Sequence, residues 1–273
     1  MEQYIVPIIL TIIFTAIGFE AFRGQYRTEL SSRKDKMIML VNVLFAPTVV
    51  KPIIEVTMGL LLIALIPAYA GSWASMAFLT AFLIYFISED FAQYVVHRMG
   101  HKSRFFWGLH RTHHTGRRMN SGLLLRTNVF WVFCLPATWF GTAAIYLGMI
   151  EAYIVAFAIK IAMSLINHSY IYRWDNFLRR FDVTRPLMWV LERIFVTPRT
   201  HQVHHALGLH GKPNKNFGTS LIIWDRLFGT AYIPDEDPQN FGLPIGDKLK
   251  LSEELFWPLV KAEKKITTEP DLA

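Results

Sequence analysis

The sequence predicts an all-α fold: a multi-pass integral membrane helical bundle with a cytoplasmic helical cap that carries a histidine-rich site for two metal ions. Three observations point there. Only 18% of the 273 residues are charged while 52% are hydrophobic, against about a quarter charged in an ordinary soluble domain. Several apolar stretches reach the roughly 20 helical residues that cross about 30 Å of hydrocarbon. All ten histidines fall between residues 97 and 210. The same totals exclude other classes. A single cysteine, Cys134, argues against a disulfide scaffold and against thiolate zinc or iron–sulfur sites. With 21 Phe, 10 Tyr and 8 Trp the composition is not that of a disordered chain. The net charge of +7 is spread over the loops between apolar stretches without a Lys/Arg tract, which fits membrane topology and not nucleic-acid binding.

The apolar stretches, in order, give five expected spans. The first, 4–22, has no Lys or Arg before it and reads as a retained span, not a cleaved signal. The pattern over 37–70 is too long for one straight span, and Lys51-Pro52 with Glu55 interrupts it; the expectation is an interfacial or half-inserted helix over 37–50 and a span over 53–70. Further spans are expected over 73–96, 129–149 and 152–171. The connections 70–73 and 149–152 carry no Lys or Arg, whereas 23–36 carries Arg23, Arg27, Arg33, Lys34 and Lys36 and 97–126 carries seven. The positive-inside rule therefore puts 97–128 and 172–273 in the cytoplasm, with the N-terminus outside. That corresponds to the inner membrane of a bacterium or the endoplasmic reticulum of a eukaryote. The expected division is 1–70 as N-terminal membrane helices, 71–234 as the site-bearing domain and 235–273 as a cytoplasmic tail. Lys160 stands mid-span, where an ammonium is costly and is either functional or able to snorkel.

The histidines form short clusters: His97 and His101, then His110-Arg-Thr-His113-His114, then His168, then His201-Gln-Val-His204-His205. On a helix, i, i+3 and i+4 share a face, so each His-x-x-His-His presents three imidazoles together. Chance would produce roughly 0.01 such matches in a chain of this composition. Gathering so many imidazoles at helix ends costs desolvation unless a cation binds there. His-Glu-x-x-His is absent and the histidines are too many for one tetrahedral zinc. No Glu is followed by His three residues on, which departs from the soluble di-iron bundles, and the clusters lie outside the apolar stretches, where bis-His haem would not sit. Two ions in an almost all-nitrogen shell remain, and iron suits such a shell when oxygen chemistry is the purpose. Asp90, Tyr94, His97 and His101 share one helical face at i, i+4, i+7 and i+11. Asp90 is therefore expected to receive a ring N–H from a ligating histidine, the plainer alternative being that Glu89-Asp90 merely ends the apolar part of the span.

Together, Asp90-Phe-Ala-Gln-Tyr94-Val-Val-His97-Arg-Met-Gly-His101, His110-Arg-Thr-His113-His114, Asn167-His168-Ser169 and Thr197-Pro198-Arg-Thr-His201-Gln-Val-His204-His205 resemble the histidine boxes of the fatty acid hydroxylase / sterol desaturase superfamily. Asn216-Phe-Gly218 and Trp224-Asp225-Arg-Leu-Phe228-Gly229-Thr230 resemble the segment that follows them. The resemblance covers Asp90 to about Thr230 and is silent over 1–70. It implies a membrane non-haem di-iron enzyme that hydroxylates or desaturates an aliphatic C–H of a lipid with O2. Its metal ligands would be His97, His101, His110, His113, His114, His168, His201, His204 and His205, with Asp90, Asn167, Tyr172 and Asp225 beside them. Electrons would come from a separate carrier of the cytochrome b5 or ferredoxin type with its reductase. Two positions depart from the pattern. Tyr172 stands where some members have another histidine, so one of the two sites is expected to have a ligand fewer, and His210 matches no position of the family. The last box is most similar to the alkylglycerol monooxygenase branch, but sterol, sphingoid, fatty-acyl, ether-lipid and isoprenoid substrates all stay open. So do a membrane metal-binding or transport protein and a catalytically silent lipid-binding relative.

Overall fold

The computed structural model describes residues 2–27, 31–243, 245 and 248–261. Almost all regular structure is helical: α1 (Glu2–Phe22), α2 (Arg33–Phe45), α3 (Lys51–Leu65), α4 (Phe78–Lys102), α5 (Arg104–His114), α6 (Trp131–Cys134), α7 (Pro136–Leu147), α8 (Ile150–Asn167), α9 (Trp174–Arg179), α10 (Arg185–Ile194), α11 (Pro198–His205), α12 (Ile223–Leu227) and α13 (Leu251–Phe256). The described strands, β1 (Ala206–Leu207) and β2 (Asn240–Phe241), pair antiparallel with Ala206 opposite Phe241.

Among the described residues, three helices are long and apolar enough to cross a membrane, Arg33–Leu65, Phe78–Lys102 and Ile150–Asn167. The expected five spans are corrected at several points. The break foreseen at Lys51-Pro52 does not occur. Ala46–Val50 forms a π turn that joins α2 to α3, and Lys51 N–H bonds back to Ala46 O. A π turn reaches five residues back where an α turn reaches four, so the helix passes the donor that proline lacks without stopping. Lys51 and Glu55 answer each other across one turn at 3.3 Å. The stretch 129–149 is divided at Leu135, whose extended backbone precedes Pro136. Its longer part, α7, has 12 residues, about 18 Å of helix and short of a crossing. α1 has 21 residues and includes the apolar stretch Leu10–Phe22, which falls within the expected first span 4–22.

α4 and α8 form the axis of the molecule. They pack through Ala81, Tyr85, Ala152 and Ala156, with Ala144 of α7 closing the same core, and the small side chains let the helices approach closely. Large apolar side chains face outward instead, among them Leu60, Leu65, Leu79 and Ile87, as expected of surfaces that meet lipid. α10 follows this inverted logic outside the expected spans: Leu187, Trp189 and Val190 point out, while Met188 and Glu192 point in and Glu192 pairs with Arg179. The segment 235–273 is not a separate tail where it is described. Leu255 and Glu254 are buried, Lys34 Nζ meets Glu254 at 2.8 Å, and Val129 N–H donates to Leu255 O.

Candidate metal centre

α4 runs past residue 96 to Lys102, so His97 and His101 are not beyond the helix but on its last two turns. α5 follows at once, and α11 begins with Pro198 at its first turn and a Thr197–Thr200 capping box, which fixes where its three histidines start. His168 caps the C-terminal end of α8. The nine histidines from these four elements are all buried.

They do not form one pool. His97, His101, His110, His114 and His204 converge in one group and His113, His168, His201 and His205 in a second, the potential ligand atoms within each lying within 4.8 Å of one another. The helical period explains the division. At 100° per residue, i+4 lies 40° to one side of i and i+3 lies 60° to the other. In α5, His110 and His114 therefore serve the first group and His113 the second. In α11 the senses are reversed: His201 and His205 serve the second group and His204 the first. Each His-x-x-His-His thus contributes to both groups, which a reading of three imidazoles on one face does not show.

Ring orientation is set from outside. His97 Nδ1 faces Phe217 O at 2.7 Å, His204 Nδ1 faces Lys215 O at 2.8 Å, His113 Nδ1 faces Leu123 O at 3.1 Å and His168 Nδ1 faces Ser164 O at 2.7 Å. A carbonyl only accepts, so each of these Nδ1 atoms carries the proton and each Nε2 presents a lone pair inward. Two such lone pairs, on His113 and His168, face each other at 3.1 Å with no proton between them. Those of His97 and His204 have no hydrogen-bond partner. Protonation is opposed: burial pushes His168 down to about 4, and burial plus mutual repulsion holds His110, His113, His114, His201 and His205 well below 6.5. A divalent cation held in each group would satisfy these atoms, and the all-imidazole donor set fits iron.

The carbonyls are themselves held. Asp225 accepts from Phe217 N–H and Gly218 N–H at 2.7 Å each and from Thr230 Oγ1 at 2.7 Å, so it fixes the peptide whose carbonyl orients His97. Gly218 has no room for a side chain, since a Cβ there would lie 2.5 Å from Leu221 O. Asp90 is corrected: it touches no histidine ring. Its oxygens accept from Lys160 Nζ at 2.8 Å, Leu221 N–H at 3.1 Å and Trp224 Nε1 at 3.0 Å, because the loop 217–221 lies closer to it than the His97 ring, whose Nδ1 that loop already occupies. Tyr172 is also away from the rings, donating to Ala16 O at 3.0 Å, and Asn167 reaches Thr219 O at 3.4 Å. His210 lies outside both groups and faces the exposed Glu236 at 3.4 Å.

Residues far away in sequence complete the support. Arg126 binds Asp35 at 2.7 Å, Glu254 at 2.8 Å, and Thr112 O and Thr115 Oγ1, clamping the end of α5 on both sides of His113. Glu20 accepts from Ser121 N–H at 2.7 Å and from Ser169 Oγ, which ties α1 to the residue after His168. A lone carboxylate in an apolar stretch was the only sequence signal for Glu20, and Arg126 had none. Beside the two groups lies a cavity of about 170 Å3, walled on one side by His97, His110, His113, His168 and His201 and on the other by Trp131, Leu135, Phe157 and Ile161.

The family model described as Fatty acid hydroxylase matches residues 82–230. The chain belongs to this family. Among curated relatives, an alkylglycerol monooxygenase of Homo sapiens is 31% identical over 156 residues, 55% of this chain and 30% of that protein. One of Caenorhabditis elegans is 32% identical over 158 residues, 57% of this chain and 28% of that protein. An ornithine lipid hydroxylase of Rhizobium tropici is 28% identical over 168 residues, 60% of this chain and 45% of that protein. The chain thus spans less than half the length of these relatives. No solved structure matches it. The matched stretch begins in α4 before the first histidine and ends at Thr230, the residue that hydrogen-bonds Asp225, so family membership and the two imidazole groups rest on the same part of the fold.

Proposed function

We propose that the chain is a membrane-bound non-haem di-iron oxidoreductase that hydroxylates an aliphatic C–H of a membrane lipid with O2, an ether-linked alkylglycerol being the first candidate. The observation that carries this reading is the pair of all-imidazole groups, five and four histidines, opening onto one cavity. The relatives' names, monooxygenase and hydroxylase, favour hydroxylation over desaturation. In this reading one iron is held by His97, His101, His110, His114 and His204, and the other by His113, His168, His201 and His205. Bound iron would supply O2 activation with electrons from a separate carrier of the cytochrome b5 or ferredoxin type, docking on the cytoplasmic face of a multi-pass bundle.

The chain's own residues supply position and dryness. Carbonyls of residues 123, 164, 215 and 217 hold four rings in the tautomer that leaves Nε2 free to ligate. Trp131 packs on His110 with ring centroids 4.5 Å apart, and Phe217 lies 5.3 Å from His101, so apolar surface covers the rings and keeps water from them. Leu135, Phe157 and Ile161 give the alkyl chain a wall of its own polarity. The test is to give membranes containing the protein 1-O-hexadecylglycerol and 18O2 and to analyse lipids by mass spectrometry. One 18O atom incorporated in the product supports the reading. Both metals bound with no O2-derived oxygen in any lipid would point to a metal-binding or silent relative.

A further inference from the structure

Two ladders of side chains lead away from the metal ligands along the same cavity. On α4 they are Glu89, Gln93 and His97, at i, i+4 and i+8. On α8 they are Lys160, Ser164 and, just past the helix end, His168, with the same spacing; all six line the cavity. At 1.5 Å per residue, Gln93 and Ser164 stand about 6 Å along the axis from a ligand, and Glu89 and Lys160 about 12 Å. At that far end Lys160 Nζ ion-pairs with Glu89 across the two helices and with Asp90 Oδ1 at 2.8 Å. The amide of Gln93 and the hydroxyl of Ser164 have no hydrogen-bond partner among the described residues. A pair that only stapled α4 to α8 would need neither of them.

We propose that Glu89, Gln93, Lys160 and Ser164 form a head-group subsite for an uncharged, hydroxyl-bearing lipid head, which brings the carbon to be oxidised within a few bonds of that head and not to mid-chain. The inference rests on the lipid-oxidation reading above. Hydroxyls both donate and accept, as do the Gln93 amide and the Ser164 hydroxyl. The Lys160 ammonium is shared between two carboxylates, so no uncommitted positive charge faces the cavity. A phosphate or carboxylate head would face Glu89 in a low-dielectric setting, with the Lys160 cation already shared with Asp90. A bare alkyl chain would leave Gln93 and Ser164 without partners and out of water.

The experiment measures binding, not turnover, with metal-loaded protein in dioleoylphosphatidylcholine nanodiscs. The probes are 1-O-hexadecylglycerol, its 3-phosphate and hexadecane, which share a chain and differ in the head. Wild type should bind the glycerol lipid at least about 10-fold more tightly than either other probe. Gln93→Leu should weaken the glycerol lipid about 10-fold and leave hexadecane unchanged. Glu89→Gln keeps the shape but releases part of the Lys160 charge, so the phosphate should gain about 5-fold or more. Full metal content in each variant reports that it has folded. Equal binding of all three probes by wild type, or binding ratios unchanged in both variants, would overturn the subsite and leave Glu89–Lys160 as a staple. If the head-group preference is found but no lipid is oxidised, the oxidation reading fails and the subsite stands. Oxidation of lipids with no binding preference gives the opposite result.

Discussion

The five-histidine and four-histidine groups use the same His-x-x-His-His spacing in opposite senses, and they differ in what completes them. The first takes His97 and His101 as an i, i+4 pair from α4, a long helix anchored in the core. The second has no such second pair. It takes His168 alone from the end of α8, and Tyr172, four residues on, turns its hydroxyl to Ala16 O instead. The first group is therefore the richer in ligands. Both present ligands to the cavity, His97 and His110 from one and His113, His168 and His201 from the other.

The largest expected effect separates the groups directly. His113→Ala leaves three nitrogens in its group and His204→Ala leaves four. Both should take activity below about 1% of wild type, because losing a ligand costs more than losing a residue behind one, itself about 10- to 100-fold. Iron should differ where activity does not. Under increasing chelator, His113→Ala should release its first iron earlier than His204→Ala, and equal release curves would remove the distinction.

Next is the support behind the five-histidine group. Asp225→Asn weakens the hold on the Phe217 and Gly218 peptides and should lower iron affinity about 10-fold or more, read by chelator competition. Asp90→Asn, whose partners are Lys160, Leu221 and Trp224, should leave iron affinity within about 2-fold. The reverse order would restore Asp90 as the residue behind His97.

A smaller effect is pH dependence. His168 sits at about 4 in the fold, and His110, His113 and His201 also lie well below 6.5. Between those values and 6.5 the unfolded chain binds more protons than the folded one, so stability falls as pH drops and is complete above about 6.5. Metal-free protein should accordingly melt at a lower temperature at pH 5 than at pH 7.5. A flat profile would mean the rings are not buried as neutral bases. The smallest effect is expected at His210, whose contact with Glu236 is at the surface. His210→Ala should keep both irons and change activity by less than about 2-fold.

Sequence spacing made some of this legible and not the rest. The eight clustered histidines and the shared face of Asp90, Tyr94, His97 and His101 follow from helical period, and α4 does bury all four residues of that face, whereas the single His168 joined the ligand set through the family resemblance. The division into two groups needed the mutual orientation of α5 and α11, which no local pattern carries. Asp90 had the right spacing for a ring partner, but a loop more than 100 residues away occupies His97 first. Span counting failed at Pro136 and at the π turn of Ala46–Val50, where one proline divided an apolar run and two others did not. Arg126 and Glu254 meet across 128 positions, a distance at which charge patterns along the chain carry no signal.

The claim on which the rest depends is that the nine histidines form two cation sites and not one packed cluster. Counting iron per chain in protein purified from iron-replete cells tests it most directly, with His113→Ala measured alongside. The account predicts about two irons in wild type, one in each imidazole group, and about one in the variant. One iron or none in folded wild type, unchanged by the substitution, would contradict it.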